Sequence, residues 1–442
     1  MYRDMTKGNI TKGLLLFALP MIAGNLLQQF YNIADTLIVG QVLGKDALAA
    51  VGSAYSLMTF LTSIFLGLSL GAGALFSIYF GKKDMNALRS AVVHAFLLIF
   101  GITLFLNLLI FYVFLDPILI FLQIPPELYA SMREYLLIIF AGLVATFLYN
   151  FFSCLLRAIG NSVTPLWFLG ISAFLNIGLD LLFVMVLPFG IAGAAVATVI
   201  AQYVVGIGLF LYVALKCPDL RPASFRWDNG IIREICSLSL MTCLQQSAMN
   251  FGILLVQRLV DSFGPVIMAA FAAGVKIDTF AYLPVQDFGN AFSTFTAQNY
   301  GAGETGRLRK GFQKAVLVSA GFSCVLSLLV CLFAHPLMRI FVKAEETAVL
   351  AAGVRYLRVE GFFYMGIGCL FLLYGFYRAV NRPGMSVILT VISLGLRVVL
   401  AYILSAPFGE TGIWAAIPIG WAIADIVGFA YYFRLKRKGT FA

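Results

Sequence analysis

Charge is scarce in this chain. Only 11% of its 442 residues are Asp, Glu, Lys or Arg while 61% are hydrophobic, and a soluble domain of that composition lacks the polar surface to cover its apolar area. Histidine occurs twice, as His94 and His335, in no zinc-ligating spacing. The seven cysteines contain no CxxC pair and lie mostly in apolar runs, so they read as small apolar residues and imply neither a zinc site nor a disulfide framework. No GxSxG, HExxH or phosphate-binding loop is present. Without an ATP-binding loop, energy for any transport has to come from an ion gradient or from substrate flow. The leading MYRDMTKGNITKG is polar, and the apolar run after it is too long for a cleaved leader, so no signal peptide is expected.

Long apolar runs are what the chain has in abundance. Mean hydropathy is +0.96, and a bilayer core of ~30 Å takes roughly 20 apolar residues per helix. Polar residues, Gly and Pro divide the sequence into twelve expected spans at 13–43, 48–80, 91–123, 130–157, 165–187, 190–215, 231–260, 265–299, 311–342, 349–378, 384–407 and 412–434. The expected fold class is an all-α polytopic membrane protein. Several spans exceed the bilayer thickness, so their ends should tilt or stand proud.

A net charge of +10 invites a nucleic-acid reading, which the placement of the cations removes. With the N-terminus inside, one side collects most of the 30 Lys and Arg residues. These are Arg3, Lys7 and Lys12, the loop at Lys82, Arg157, the stretches from Lys216 to Arg233 and from Arg307 to Lys314, Arg378, Arg382, and the run from Arg434 to Lys438. This positive-inside bias predicts cytoplasmic termini in a multi-pass plasma-membrane protein. The basic residues then meet anionic lipid, and no nucleic-acid partner is expected.

Sliding the second half over the first at an offset of about 220 residues aligns a series of features in one order. Gly44, Ala50, Thr59, Phe60 and Gly81 fall on Gly264, Ala270, Thr279, Phe280 and Gly301; with one residue of drift, Tyr135, Leu136, Arg157 and Ala158 fall on Tyr356, Leu357, Arg378 and Ala379. FGIAGAAVA at 189–197 meets FGETGIWAA at 408–416. Six spans per half, an even number, start both halves on the same face. The expectation is two parallel repeats around a central cavity: an N-lobe at 1–215, a linker at 216–230 and a C-lobe at 231–442. Arg157 and Arg378 then each end the fourth helix of a half, where a cation meets a helix C-terminus and lipid head groups, and the Gly or Asn that follows stops the helix.

Polar residues inside the spans are costly and usually functional. The N-terminal half offers Asp35 in FYNIADTLIVG and Asn176 with Asp180 in SAFLNIGLDLLFV. Asn176 and Asp180 are four apart and share a helix face. At a rise of ~1.5 Å per residue, Asp180 lies about 10 Å below the outer end of its helix, Thr198 about 12 Å and Asp35 about 13 Å. Three helices thus bring oxygen ligands to one level. Such a cluster suits Na⁺, a hard cation, and equally a proton, since two adjacent carboxylates in low dielectric cannot both ionise. The alternative is that Asp35 and Asp180 only hydrogen-bond neighbouring helices.

The second half departs from this pattern, with Gln245, Gln246 and Asn250 in its first helix and Lys276, Asp278, Pro284, Asp287 and Asn290 in its second. Gln245, Asn250, Lys276, Asp278 and Asp287 form a candidate substrate or secondary polar site; a purely structural role for Lys276 and Asp278 stands equally open. Lys276 and Asp278 are two apart and face different ways. Arg397 finds its partner in Asp425 or in a backbone carbonyl. Pro20 kinks the first helix, which carries Asp35, and is a candidate gate or a static kink.

Twelve spans in two repeats, LPMIAGNLLQQFYNIADTLIVGQVLGKDALAAVG, the GKKD loop, RAIGNSVTP, NxxxD in the fifth helix and VQDFGNAFSTFTAQNYGAG in the eighth resemble the multidrug and toxic compound extrusion (MATE) family along essentially the whole chain. The resemblance implies a non-enzymatic antiporter that exports amphipathic or cationic small molecules in exchange for Na⁺ or H⁺ by alternating access. It implies no cofactor beyond the coupling ion; we expect a monomer. Its DinF-like branch carries an aspartate in helix 1, NxxxD in helix 5 and a threonine in helix 6, which Asp35, Asn176, Asp180 and Thr198 match here. The NorM-like branch relies on acidic residues in helices 7 and 10; this chain has Gln245 and Gln246 in helix 7, and YGFYRAVNRPG supplies no acid in helix 10. The alternative function is that of a lipid-linked oligosaccharide flippase of the wider superfamily, against which the scarcity of intramembrane cations (Lys276 and Arg397) argues.

Overall fold

The computed structural model describes residues 4–121, 129–187, 189–221 and 226–439. Arg3, the end of the third expected span at 122–123 and linker residues 222–225 lie outside the described residues. The described chain is built of helices: α1 Ile10–Leu43, α2 Lys45–Lys82, α3 Met85–Leu109, α4 Leu115–Phe121, α5 Tyr129–Ala141, α6 Leu143–Ala158, α7 Val163–Asp180, α8 Gly190–Lys216, α9 Asn229–Asp261, α10 Pro265–Gly301, α11 Thr305–Leu332, α12 Ala334–Met338, α13 Thr347–Gly361, α14 Tyr364–Ala379, α15 Pro383–Phe408 and α16 Glu410–Arg437. Short helical turns of wider, π-type pitch join α3 to α4 and extend α7 over Leu181–Val186. In a bilayer every backbone N–H and C=O must find a partner within the protein, which is why apolar runs of this length become helices.

Eleven of the described helical stretches are long and apolar enough to cross a membrane, and α13 with α14, bent by 50°, pass the same test as a pair. The ninth expected span, 311–342, is shorter than the sequence implied, because α11 ends at Leu332 and the chain turns into the five-residue α12.

The duplication is visible in the backbone. Left-handed residues, which glycine adopts without strain, fall at matching corners of the two halves: Gly44 (φ 87°) with Gly264 (φ 90°), Lys83 (φ 60°) with Gly303 (φ 72°), Gly160 (φ 86°) with Asn381 (φ 59°), and Gly190 (φ 64°) with Gly409 (φ 58°). Gly160 and Asn381 each follow the paired arginine by three residues and close the helix that carries it.

The chain divides into two compact units, one of Ala23–Cys243 and one of Asp4–Ile22 with Leu244–Ala442. These boundaries differ from the lobe limits expected at 215 and 231 by one half-helix each: α1 divides after Ile22 and α9 after Cys243. The cause lies in packing. In the second unit the leading half of α1 buries Leu14, Phe17, Ala18 and Met21 in the core that contains Phe271, Phe292 and Trp414. Met5 is held there as well: its N–H donates to Gln298 Oε1 (3.0 Å), its carbonyl accepts from Asn299 Nδ2 (3.2 Å), and Arg307 donates to the Gly8 carbonyl (2.9 Å). In the first unit Ile231, Ile235 and Leu238 of α9 join the core of Phe76, Phe147 and Phe151, and Tyr79 donates to Glu234 Oε2 at 2.7 Å.

Both cores are aromatic. Phe96 packs on Phe147 with ring centroids 5.5 Å apart, and Phe312 stacks on Tyr432 at 4.1 Å; each such pair contributes about 0.5–1.5 kcal/mol beyond its burial. Where backbones meet directly, glycine is required. A Cβ on Gly375 would lie 2.5 Å from the Gly289 carbonyl oxygen, so α14 and α10 approach closer than any side chain permits.

Arg378 does not reach lipid head groups as expected. It is 4% exposed and donates from Nη2 to Asn290 Oδ1 (2.9 Å) and from Nε to Ser293 Oγ (3.3 Å). A guanidinium of five donors is satisfied better by fixed side-chain acceptors on α10 than by mobile phosphates.

Candidate functional site

Asp35 on α1, Asn176 and Asp180 on α7, and Thr198 on α8 come together within the first unit. α7 begins where Asn161 Oδ1 accepts the Thr164 N–H (3.0 Å), and its helical period puts Asn176 and Asp180 on one face, 2% and 0% exposed. Asn176 Nδ2 donates to Thr198 Oγ1 at 3.3 Å, which joins α7 to α8. The Asp35 and Asp180 carboxyl groups face each other in direct interaction.

Acceptors without donors define this site. Asp35 Oδ1, Asn176 Oδ1 and both oxygens of Asp180 are buried, and none receives a hydrogen bond. Buried polar atoms in folded proteins are nearly always paired, so four orphaned oxygens in one place amount to a demand for positive charge. A proton shared by the two carboxyl groups meets part of it. A small hard cation also fits a donor set of two carboxylates, an amide oxygen and a hydroxyl. The π-type turn begins at Leu181, directly after Asp180; such turns are frequent at functional sites.

Tyr135 on α5 is part of this neighbourhood and was missed in the sequence. It is 8% exposed, and the charges of Asp35 and Asp180 both bear on its hydroxyl. The one available signal was its place in the repeat, opposite Tyr356.

In the second unit the candidate polar residues lie on α9 and α10. Gln245 is 2% exposed with Oε1 lacking a donor, while Asn250 donates to the Gln246 carbonyl at 3.3 Å within its own helix. Lys276 is exposed and sits 5.9 Å above the Phe341 ring, away from Asp278. Asp287 is 2% exposed. Asp278 is 3% exposed and accepts from the hydroxyls of Tyr356 and Tyr364.

Beside Asp278 lies Glu360, an acid in the tenth span that the sequence reading overlooked. It is 6% exposed, has Oε2 without a donor, and interacts directly with Asp278. Within RYLRVEG the structure turns Glu360 inward, while Arg355 pairs with Glu410 at 2.7 Å. The charge of Arg397 acts on Glu360. Asp425, one of the two partners expected for Arg397, has Oδ1 buried without a donor.

Pro20 lies inside α1, two residues before the helix passes from one unit to the other at Ile22.

Comparison with known proteins follows these features closely. The MatE family model matches residues 20–182 and 238–403, one segment in each half. The chain is 31% identical over 433 residues to "Probable multidrug resistance protein YpnP" of Bacillus subtilis (strain 168), covering 97% of this chain and 96% of the relative. It is 25% identical over 436 residues to "Probable multidrug resistance protein NorM" of Thermotoga maritima, covering 95% and 90%. Among solved structures, a MATE protein in complex with MaL6 superposes with a TM-score of 0.90 at 22% identity over 98% of both chains. An outward-facing multidrug resistance MATE transporter of the MOP superfamily gives 0.89 at 23% over 98% and 97%. A helical chain with matched corners in its two halves, a family model across both and relatives aligned along nearly its full length has one classification: it belongs to the MatE family, the multidrug and toxic compound extrusion transporters.

Proposed function

We propose that this protein is a secondary antiporter that exports amphipathic or cationic small molecules in exchange for H⁺ or Na⁺, and that Asp35 and Asp180 take up and release the coupling charge. The observation that carries this reading is the set of four buried, donorless oxygens on Asp35, Asn176 and Asp180. Asp35, Asn176, Asp180 and Thr198 would hold the ion. The relatives' names as multidrug resistance proteins support the substrate class.

The energetics suffice for coupling. Driving a two-state equilibrium from 1:99 to 99:1 takes about 5.5 kcal/mol of differential affinity. Removing an ionised group from water costs several kcal/mol per ion, so neutralising the pair in one lobe arrangement and exposing it in the other supplies a difference of that size. A ligand shifts such an equilibrium only through that difference. Pro20 gives α1 a bending point between Asp35 and its leading half, and serves as the gate in this reading. Gln245, Asn250, Lys276, Asp278 and Asp287 are then candidates for substrate contact or for support of the second unit.

The charge asymmetry supports cytoplasmic termini in the plasma membrane. The working unit is a monomer surrounded by lipid. The test is transport by the purified protein in proteoliposomes with the proton and sodium gradients imposed separately. Export driven by either gradient supports antiport; substrate flux indifferent to both overturns it.

A further inference from the structure

His94 is one of two histidines in the chain and takes no part in the candidate site. It is buried on α3, 2% exposed, with its ring 5.4 Å from that of Trp227. Each of its two nitrogens meets a backbone partner of fixed polarity, and Ser90 Oγ, a hydroxyl that can serve as donor or acceptor, lies 3.3 Å from Nδ1. Nδ1 lies 2.8 Å from the Ser90 carbonyl oxygen, which only accepts, so Nδ1 carries a hydrogen. Nε2 lies 3.1 Å from the backbone N–H of Asp228, which only donates, so Nε2 is bare. Together these bonds require the neutral ring in a single tautomer.

What the ring holds is the start of the second repeat. Asp228 immediately precedes α9, and its carboxylate accepts from the N–H groups of Gly230 (2.8 Å) and Ile231 (3.2 Å), capping the helix. One residue therefore organises the first turn of α9 through its side chain and is anchored to α3 through its backbone. The linker is tied nearby by Arg89 Nε, which donates to the Asp219 carbonyl at 2.6 Å.

We infer that His94 is a proton-sensitive clasp on the start of α9: the neutral imidazole holds Asp228 in its capping position, and a proton taken up at Nε2 sets two donors against each other and releases it. The released Nε2–H has the Asp228 carboxylate as a new acceptor, which draws that carboxylate away from the cap. The sign follows. The clasp is closed where the ring is neutral and opens when Nε2 takes up a proton. The charged and titratable groups on the surrounding elements include Asp84 and Arg89 at the start of α3, Tyr79, Lys82 and Lys83 at the end of α2, Arg157 at the end of α6, Lys216 at the end of α8, Asp219 and Arg221 in the linker turn, and Arg226, Asp228, Arg233 and Glu234 around the start of α9. Under the proposed topology this end of the protein faces the cytoplasm, so cytoplasmic acid is the signal.

The experiment uses the full-length protein. With His335→Asn, His94 is the one remaining histidine, and ¹⁵N NMR of its ring in lipid reports its state directly. The expected result at pH 8 is the neutral ring protonated on Nδ1. Trypsin cleavage after Arg226, normalised to a short peptide, should then be about fivefold faster at pH 6 than at pH 8, because cleavage follows the open population. His94→Gln, which keeps an acceptor but takes up no proton, should remove that pH dependence. The same pattern in the Asp35→Asn/Asp180→Asn background separates the clasp from the coupling site. A ring protonated on Nε2 at pH 8, or identical pH dependence of cleavage in wild type and His94→Gln, overturns the inference.

Discussion

Asp35 and Asp180 confront each other from α1 and α7 with three of their carboxyl oxygens buried and without a donor. Asn176, one turn before Asp180, donates its amide nitrogen to Thr198 and leaves its buried oxygen without a donor. That orientation gives the first prediction. Asn176→Leu removes the amide oxygen and the bond to Thr198 together, and gradient-driven export should fall at least about tenfold, the equivalent of ~1.4 kcal/mol of coupling. Thr198→Val should have a smaller effect, since a half-buried hydroxyl contributes only about 0.5–1.5 kcal/mol. Efflux rates in proteoliposomes decide both.

Pro20→Ala restores a helix hydrogen bond within α1. Proline inside a helix costs ~3 kcal/mol or more, so the variant should melt at a higher temperature in detergent. If bending at this point serves the cycle, the same variant should export several-fold more slowly while binding substrate with unchanged affinity. A faster exporter would show that the kink is static.

Glu360 and Arg397 provide a test of the second unit. Removing one partner from a buried charge network leaves the other uncompensated, at about 3–5 kcal/mol. Glu360→Gln and Arg397→Gln should each lower the melting temperature markedly, and the double variant should lose less than the sum of the two. Strict additivity would mean that the two groups do not interact.

Gly375→Ala places a methyl group 2.5 Å from the Gly289 carbonyl oxygen. Neither backbone has room to yield, so a loss of about 1–3 kcal/mol is expected. Gly321→Ala, at a position with no heavy atom within 4 Å, is the control and should be neutral or stabilising.

Much of this architecture was legible in the sequence because it is written in periodicities. Apolar runs of bilayer length give the spans, and the offset of about 220 residues pairs the corners Gly44 with Gly264 and Gly190 with Gly409 in the sequence itself. Helical rise placed Asp35, Asp180 and Thr198 at one depth and helical period put Asn176 on the face of Asp180; in the structure Asn176 bonds Thr198 and Asp35 meets Asp180. The division of α1 and α9 between units was not legible, since a helical repeat fixes which face is apolar and leaves open which neighbour covers each half. Glu360 shares RYLRVEG with Arg355 and Arg358, and nothing in that stretch marks which of its charges turns inward. Arg378 looked like a lipid anchor because its partners, Asn290 and Ser293, are distant in sequence and unremarkable in type. Tyr135 belongs to an aromatic-rich chain in which no single ring stands out.

The most direct test of the coupling account is gradient-driven efflux by Asp35→Asn and Asp180→Asn in proteoliposomes, with substrate binding measured on the same preparations. The account predicts that both variants insert and bind substrate, yet neither exports when a proton or a sodium gradient is imposed. Full gradient-driven export by either variant would contradict it.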